Sequence, residues 1–176
     1  MIRKAVKEDI PKVAAIYDEI LSQEEAGACT IGWQRGVYPT RQTAQDALEK
    51  GTLFVCEAEG EVVAAAKIDQ QQVDVYDQCP WKYEAPEHQV MVLHTLVVSP
   101  QKGGQGYGKE FVTFYEAYAQ EMGCTTLRMD TNEKNTAARA MYQKLGYREA
   151  AILPCRFNGI AGVNLVCLEK KLSCEK

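Results

Sequence analysis

Four glycines lie between a long apolar segment and a helix-like one, and their spacing suits the binding of a phosphate group. They occur in the stretch VMVLHTLVVSPQKGGQGYG, which runs from 90 to 108, at Gly103, Gly104, Gly106 and Gly108. Glycines let a ligand approach the backbone closely, and the first N–H groups of the following helix have no partner inside that helix. Such a junction attracts anions, phosphate above all. The sequence therefore predicts a phosphate-binding loop.

A residue able to move a proton lies on the strand that leads into this loop. His94 is one of only two histidines in the chain. A neutral imidazole is suited to accepting a proton near pH 7. The period of a strand predicts that His94 shares a face with Leu96 and Val98. The alternative interpretation is a hydrogen-bonded histidine that belongs to the core.

Two common phosphate-binding motifs fit the loop poorly. A nucleotide-triphosphate loop requires Ser or Thr after its lysine, where this chain has Glu110, whose carboxylate would repel phosphate. A dinucleotide loop has the spacing G-x-G-x-x-G and an acidic residue about 20 positions later. Asp130 lies at a suitable distance, but the chain has G-x-G-x-G in its middle, with only one strand–helix–strand unit after it. Both interpretations are disfavoured.

Two motifs together resemble those of the GNAT superfamily of acyl-coenzyme A-dependent N-acyltransferases. The family's first motif, V-x-P, two residues and R/Q-G-x-G-x-G/A, is similar to Val98 through Gly108. Its second, N-x-x-A-x-x-x-Y-x-K-x-G-[FY], is matched in full by Asn135 through Tyr147, and the gap between the motifs fits one helix and one strand. Gly103 departs from the family, which has Arg or Gln there. Because backbone N–H groups and the helix dipole bind most of the pyrophosphate, this loss should weaken binding without abolishing it.

The resemblance implies acetyl-coenzyme A as cosubstrate and no metal. It also implies that the strand before the loop splays from the strand after the next helix, with the thioester in the gap. Main-chain groups of the splayed strand are expected to bind the pantetheine arm and polarise the thioester carbonyl. The residues expected to bind the cosubstrate are Leu96, Val97, Val98, Gly103, Gly104, Gln105, Gly106, Tyr107, Gly108, Lys109, Asn135, Ala138 and Tyr142.

Two residues are expected to be catalytic. The resemblance implies that Tyr142 is the general acid that protonates the departing thiolate of coenzyme A. The alternative is that Tyr142 only packs with Ala138 and Leu145. His94 is the expected base or water-orienting residue, and a relay of water molecules is the main alternative. Asn135 is expected to cap a helix, to contact the cosubstrate, or both.

The acceptor site is the part that the sequence determines least. Trp33, Tyr38 and Trp81 lie in loops where the family builds this site, and aromatic side chains there line it or pack a loop onto the core. The expected reaction is direct attack by a primary amine of a small molecule or peptide, since neither motif contains a cysteine for a thiol relay. The alternative from another class is a coenzyme A-binding regulator or sensor without turnover. The family resemblance is also compatible with a homodimer.

Composition agrees with a soluble cytoplasmic protein. The 176 residues have a net charge of −4, 46% hydrophobic residues and 25% charged residues, which disfavours a nucleic-acid-binding domain. No apolar run approaches the length of a membrane span, and the N-terminal residues resemble no signal peptide. The cysteines are odd in number and form no C-x-x-C pair, which favours free thiols over disulfides or zinc. They are residues 29, 56, 79, 124, 155, 167 and 174.

The pattern of elements predicts how these residues are positioned. We expect one α/β domain over 1–176 with a GNAT-like fold, in which a mixed, mostly antiparallel sheet of six to seven strands has a splayed pair and about four flanking helices. The strands are predicted at 2–6, 52–58, 61–68, 89–98, 125–131, 148–157 and 161–171. The helices are predicted to begin near Asp9 and Thr40 and to cover 107–122 and 135–145.

Overall fold

The apolar, strand-like segments of the sequence assemble into one sheet. The computed structural model describes residues 1–173, so Cys174 lies outside the described residues. The strands are β1 (Ile2–Lys4), β2 (Leu53–Ala58), β3 (Glu61–Asp69), β4 (Val90–Val98), β5 (Thr126–Asn132), β6 (Arg148–Phe157) and β7 (Ile160–Lys171). The α-helices are α1 (Ile10–Glu25), α2 (Arg41–Glu49), α3 (Tyr107–Glu121) and α4 (Thr136–Lys144).

The sheet is mixed and mostly antiparallel. Its strands follow the order β1-β2-β3-β4-β5-β7-β6. Only β4 and β5 run parallel, because α3 connects them as a crossover, whereas every other neighbouring pair is antiparallel. This confirms the predicted fold class, including seven strands and four α-helices among residues 1–173.

The parallel pair separates halfway along its length. β4 pairs with β5 only from Val90 to Leu93, opposite Thr126 to Met129. Beyond those residues β4 remains paired with β3 through Val98, and β5 remains paired with β7 through Asn132. A gap therefore opens between two strands that are each held on their outer side. The splay that the resemblance implied is present.

Helices cover both faces of the sheet. α3 and α4 pack on one face, where Phe111, Tyr115 and Met129 are buried in the largest core cluster. The Tyr115 hydroxyl donates to the carbonyl oxygens of Met91 and Arg128, at 2.6 and 3.0 Å, so it ties α3 to the paired half of β4 and β5. α1 and α2 cover the opposite face next to β2, β3 and the end of β4.

An irregularity in β4 changes which face its side chains occupy, and it corrects the predicted placement of His94. Thr95 has a left-handed backbone with φ of 52°. The β3–β4 register also shifts here, because Ala65 pairs with Val97 while Lys67 pairs with His94. One residue of β4 is thus bulged, and a bulge re-aims the side chains that follow it. Leu96 and Val98 consequently pack on the face covered by α3 and α4. His94 precedes the bulge and pairs with Lys67, and its side chain lies on the opposite face.

The element boundaries mostly fall within two residues of the predicted ones. β1 ends at Lys4 rather than residue 6, because the chain then turns so that the Asp9 carboxylate accepts the Val6 N–H at 2.8 Å. Asp9 also forms an ion pair with Arg3 at 2.7 Å, and its side chain makes no capping hydrogen bond to α1. Within residues 1–173 no helix is long and apolar enough to cross a membrane. The six cysteines of this part of the chain are free thiols.

Candidate functional site

The gap between β4 and β5 opens into a cavity of about 1010 Å³. Its walls come from the glycine loop, the splayed ends of both strands, α4, the segment 26–40 and the β6–β7 hairpin. Most of the predicted site residues line it, namely Trp33, Tyr38, His94, Leu96, Val97, Val98, Gly103, Gly104, Gly106, Tyr107, Gly108, Lys109, Asn135, Ala138 and Tyr142. Gln105 and Trp81 are absent from its lining.

The glycine loop presents backbone N–H groups at one end of the cavity. Gly104 and Gly106 have φ of 75° and 87°, values that only glycine adopts without strain. Within residues 1–173 the N–H groups from 104 to 109 donate to no protein acceptor, and the first hydrogen bond of α3 runs from Glu110 N to Gly106 O. Free N–H groups at the start of a helix are the donors that a phosphate group needs. The residues present therefore fit the pyrophosphate of a coenzyme A derivative.

Close packing also explains a glycine in the first turn of α3. A Cβ atom on Gly108 would lie 3.3 Å from Met141 Sδ, because α3 and α4 approach each other beside the loop. Two lysines lie on the same side of the cavity, Lys102 before the loop and Lys109 in α3. Their charges favour an anion there.

The splayed end of β4 supplies a second set of main-chain groups. Among residues 1–173, no strand pairs with the edge of β4 that faces β5 after Leu93. Leu96, Val97 and Val98 line the cavity along that stretch. A strand edge without a partner can bind an extended amide-containing chain. This edge fits the pantetheine arm, which carries such amides.

Tyr142, on α4, lines the cavity. Its side chain is only 6% exposed, and burial, together with the nearby Asp130 carboxylate, raises its pKa above the ordinary value. The phenol therefore stays protonated and can donate. Asn135 caps the same helix, because its Oδ1 accepts the Ala138 N–H at 3.2 Å. The capping role predicted for Asn135 is thus present, and Asn135 also lines the cavity.

A buried carboxylate that the sequence did not suggest holds His94. His94 Nε2 lies 2.8 Å from Asp69 Oδ1, and Lys67 Nζ lies 3.2 Å from the other oxygen of Asp69. Burial acts to raise the pKa of Asp69, but the hydrogen bond with His94 and the charges of His94 and Lys67 outweigh it, so that pKa is lowered. An ionised carboxylate only accepts, so Nε2 carries a proton and Nδ1 is the nitrogen able to accept one.

Asp130, at the splayed end of β5, is a second carboxylate that the sequence did not identify as a site residue. It lines the cavity, and its Oδ2 accepts the hydroxyl of Tyr76 at 2.7 Å. Burial raises the pKa of Asp130, against smaller lowering contributions from Tyr76 and from His94. The signal available in the sequence was an acidic residue that ends an apolar strand next to the second motif.

Aromatic side chains form the end of the cavity opposite the glycine loop. The rings of Trp33 and Tyr38 meet edge to face, with centroids 6.0 Å apart. The Tyr38 hydroxyl contacts that of Thr95, and burial raises the pKa of Tyr38 to about 12. The Glu24 carboxylate accepts the N–H groups of Ile31 and Gly32, at 2.7 and 3.0 Å. It thereby fixes the segment that carries Trp33.

Trp81 does not reach this cavity, which corrects its predicted placement in the acceptor site. Its ring stacks over the Arg128 guanidinium at 4.2 Å, and its Nε1 donates to the Tyr76 carbonyl at 3.0 Å. The neighbouring chain is held by Glu169, whose carboxylate accepts the N–H groups of Lys82 and Tyr83 at 2.9 and 3.0 Å. Trp81 therefore packs its loop onto the sheet, which was the alternative interpretation.

Comparison with known proteins defines the class of this chain. The acetyltransferase (GNAT) family matches residues 14–147. The chain therefore belongs to the GNAT family, as the two sequence motifs indicated, and it is an acyltransferase. It is 27% identical over 117 residues to an aminoglycoside N(6′)-acetyltransferase type 1 of Stenotrophomonas maltophilia, covering 65% of this chain and 74% of that protein.

Other relatives agree in fold. An uncharacterised N-acetyltransferase of Methanocaldococcus jannaschii is 25% identical over 100 residues, which cover 57% of this chain and 40% of that longer protein. A GNAT-family acetyltransferase from Streptococcus agalactiae superposes with a TM-score of 0.81 at 22% identity, covering 98% of this chain and 95% of that one. The structure of yncA from Salmonella typhimurium with acetyl-CoA gives 0.70 at 17% identity, covering 100% of this chain and 95% of that one.

Proposed function

We propose that this protein is an N-acetyltransferase that uses acetyl-coenzyme A to acetylate a primary amine of a small molecule or peptide by direct attack. The observation that carries the proposal is one continuous cavity, lined at one end by the free N–H groups of the glycine loop and further along by Tyr142 and His94. The name of the S. maltophilia relative and the acetyl-CoA in the S. typhimurium structure support it. Residues 1–176 would then act as one acetyltransferase domain.

The cosubstrate is proposed to lie along the glycine loop and β4. Gly103, Gly104, Gln105, Gly106, Tyr107, Gly108 and Lys109 would hold the pyrophosphate, chiefly through the backbone. Leu96, Val97 and Val98 would bind the pantetheine arm and polarise the thioester carbonyl through main-chain groups. Asn135 and Ala138 would contact it from the start of α4. Acetyl-coenzyme A supplies the acetyl group, which passes to the amine nitrogen while the coenzyme A thiol leaves.

Tyr142 is proposed as the general acid. Its raised pKa keeps the phenol protonated at neutral pH, and its position on the cavity wall lets it donate toward the leaving sulfur. The Asn135 cap and the packed face of α4 hold the Tyr142 side chain in a fixed position. A fixed donor needs no reorganisation during the reaction.

His94 is proposed to accept the proton of the amine, directly or through a water molecule. The Asp69 carboxylate orients the ring and, with Nε2 engaged, leaves Nδ1 for the proton. Asp130 is a second group on the same cavity that can accept a proton, because its raised pKa makes it a stronger base than an ordinary aspartate. A relay of water molecules between these groups and the amine is the alternative route.

The acceptor is proposed to bind at the aromatic end, beside Trp33 and Tyr38. Both line the cavity across from the glycine loop, so an amine there would approach the end of the pantetheine arm. A homodimer remains a prediction.

The test is release of free thiol from acetyl-coenzyme A in the presence of a broad panel of amines. The proposal predicts thiol release that depends on both the protein and the amine. Tight binding of acetyl-coenzyme A with no turnover on any amine would instead favour the coenzyme A-binding regulator.

A further inference from the structure

We infer that the acceptor is a cationic amine with an apolar ring or branched-carbon body and with no carboxylate beside the amine. This inference rests on the proposed function and narrows it from amines in general to one chemical class. It follows from the walls of the aromatic end, from the Asp130 carboxylate on β5 and from the distribution of basic side chains around the cavity. Within residues 1–173 the other carboxylate that lines the cavity, Asp46, lies on α2.

The walls of the acceptor end are apolar. β7 runs beside β5, so that Asp130 pairs with Cys167 and Asn132 pairs with Leu165. Apolar side chains from this hairpin and from the facing segments line the cavity around that position, namely Trp33, Tyr38, Val73, Phe157, Ile160, Val163 and Leu165. Surfaces of this kind bind an apolar body by burying it from water.

The hairpin and the segment 26–40 meet, which closes this end. A Cβ atom on Gly159, at the tip of the hairpin, would lie 3.2 Å from Val37 Cγ1. Gly32 has φ of 85°, and a Cβ atom there would collide with the Asn132 side chain on the splayed end of β5. The acceptor end is therefore narrow, with its shape set by contacts between three separate elements.

Asp130 is the carboxylate that faces this enclosed end. Among residues 1–173 Asp130 forms no ion pair, and its hydrogen-bond partner is a neutral phenol, Tyr76. The nearby His94 lowers the pKa of Asp130, but the effect of burial is larger. An enclosed carboxylate without an ion-pair partner is costly unless a cation joins it. The ammonium group of an acceptor could supply this cation, and binding beside Asp130 would place its nitrogen in the same cavity as Tyr142 and His94.

Of the four lysines that line the cavity within residues 1–173, one is bound to an acidic group, two flank the glycine loop, and the fourth, Lys50, ends α2. Among the described residues no arginine lines the cavity, and its lysines are Lys50, Lys67, Lys102 and Lys109. Lys67, which pairs with His94 across β3 and β4, is bound to Asp69 at 3.2 Å. Lys102 and Lys109 flank the glycine loop and serve the phosphate end. An amino acid bound with its ammonium group at Asp130 would therefore place its own carboxylate next to that of Asp130, where neither Lys67 nor the two lysines of the glycine loop would pair with it.

The test compares acceptors that differ by one carboxylate. With acetyl-coenzyme A, 2-phenylethylamine should be acetylated with a kcat/KM on the order of 100-fold higher than L-phenylalanine, since leaving a charge unpaired in a buried site is strongly disfavoured. Equal or better use of phenylalanine, or transfer to spermidine alone, would overturn this inference and leave the proposed function standing. Silence on all three and on the broad amine panel would overturn both.

A matched pair of variants tests the carboxylate itself. Asp130→Asn keeps an oxygen for the Tyr76 hydroxyl and removes the charge, so KM for 2-phenylethylamine should rise by about tenfold or more, while acetyl-coenzyme A affinity stays within about twofold. Asp77→Asn makes the same charge change on an exposed residue of the neighbouring turn and should leave both values unchanged. A fall in kcat at unchanged KM in Asp130→Asn would contradict recognition by Asp130 and assign it to proton transfer alone.

Discussion

Hydrogen bonds from neighbouring residues hold individual groups of the cavity in place. Asn135 fixes the start of the helix that carries Tyr142, and Asp69 fixes the ring of His94. Tyr76 holds Asp130 in the same way. Proton transfer requires groups that are placed within hydrogen-bond reach and in the correct protonation state. Removing one hydroxyl or one charge should therefore change a defined step and leave the fold intact.

Removing the phenol of Tyr142 should separate turnover from binding. We expect Tyr142→Phe to lower kcat by about 100-fold or more, the usual contribution of a general acid, while the Kd for acetyl-coenzyme A changes little. Tyr118→Phe removes a phenol from α3 away from the cavity lining and is the matched control. Steady-state kinetics and calorimetric titration measure both effects. A Tyr142→Phe protein with normal kcat would show that the leaving thiolate finds its proton elsewhere.

His94 should contribute to kcat through Nδ1. We expect His94→Gln to lower kcat by about tenfold or more at neutral pH, because glutamine can keep a hydrogen bond to Asp69 yet accepts no proton. The fall should diminish as the pH rises and more of the free amine arrives deprotonated. A pH profile of kcat/KM for both proteins measures this. Parallel profiles of equal height would favour the relay of water molecules.

The raised pKa of Asp130 predicts how stability depends on pH in the absence of ligands. Since the folded protein holds that proton more tightly than the unfolded chain, its stability declines as pH rises from about 4, where a free Asp ionises, to the folded-state pKa. Asp130→Asn removes this decline. The melting temperature of the variant should therefore exceed that of the wild type by a margin that grows with pH. A margin that is constant or shrinks from pH 4 to pH 8 would contradict the raised pKa.

Among the elements, the glycine loop and β4 do most to position the site. The loop was predictable because four glycines at the start of a helix are typical of a phosphate-binding loop. The second motif predicted α4 and its cap. The bulge at Thr95 was not predictable, since a non-glycine residue with positive φ has no sequence signature there. It reversed the expected face of Leu96 and Val98 relative to His94.

Contacts between elements were harder still to predict from sequence. Asp69 and His94 meet because of the shifted β3–β4 register, which depends on the bulge. Asp130 faces the cavity only because β5 leaves β4 after Met129. Trp81 illustrates the same difficulty: an aromatic residue in a loop buries its ring wherever a partner lies, and here that partner is Arg128.

A pair of glycine substitutions separates the strain of the loop from its binding role. Gly106→Ala and Gly60→Ala both place a side chain at positive φ, 87° and 77° respectively, with open space around the added Cβ. Each should lower the free energy of unfolding by about 1–2 kcal/mol. Only Gly106→Ala should weaken acetyl-coenzyme A binding, by about tenfold or more, because its methyl group would enter the open space in front of the free N–H groups of the loop. Equal affinities of the two variants would contradict a phosphate site in this loop.

On the scale of the whole molecule, the proposed function separates an anion-binding end of the cavity from an acceptor end. The net charge is −4, yet Lys102 and Lys109 lie on the cavity beside the glycine loop, and Asp130 faces the aromatic end. The sheet keeps the two ends apart, since β4 leads from His94 to the loop and β5 leads to Asp130. Local charge rather than net charge would therefore decide where the proposed anionic cosubstrate and cationic amine bind.

The measurement that tests direct transfer most closely is a product balance by mass spectrometry during turnover of acetyl-coenzyme A with an accepted amine. Direct transfer predicts one N-acetylated amine for each coenzyme A thiol released, with no acetyl group retained on the protein at any time. Thiol release without acetylated amine, or a protein mass increased by one acetyl group that is passed on to the amine, would contradict it.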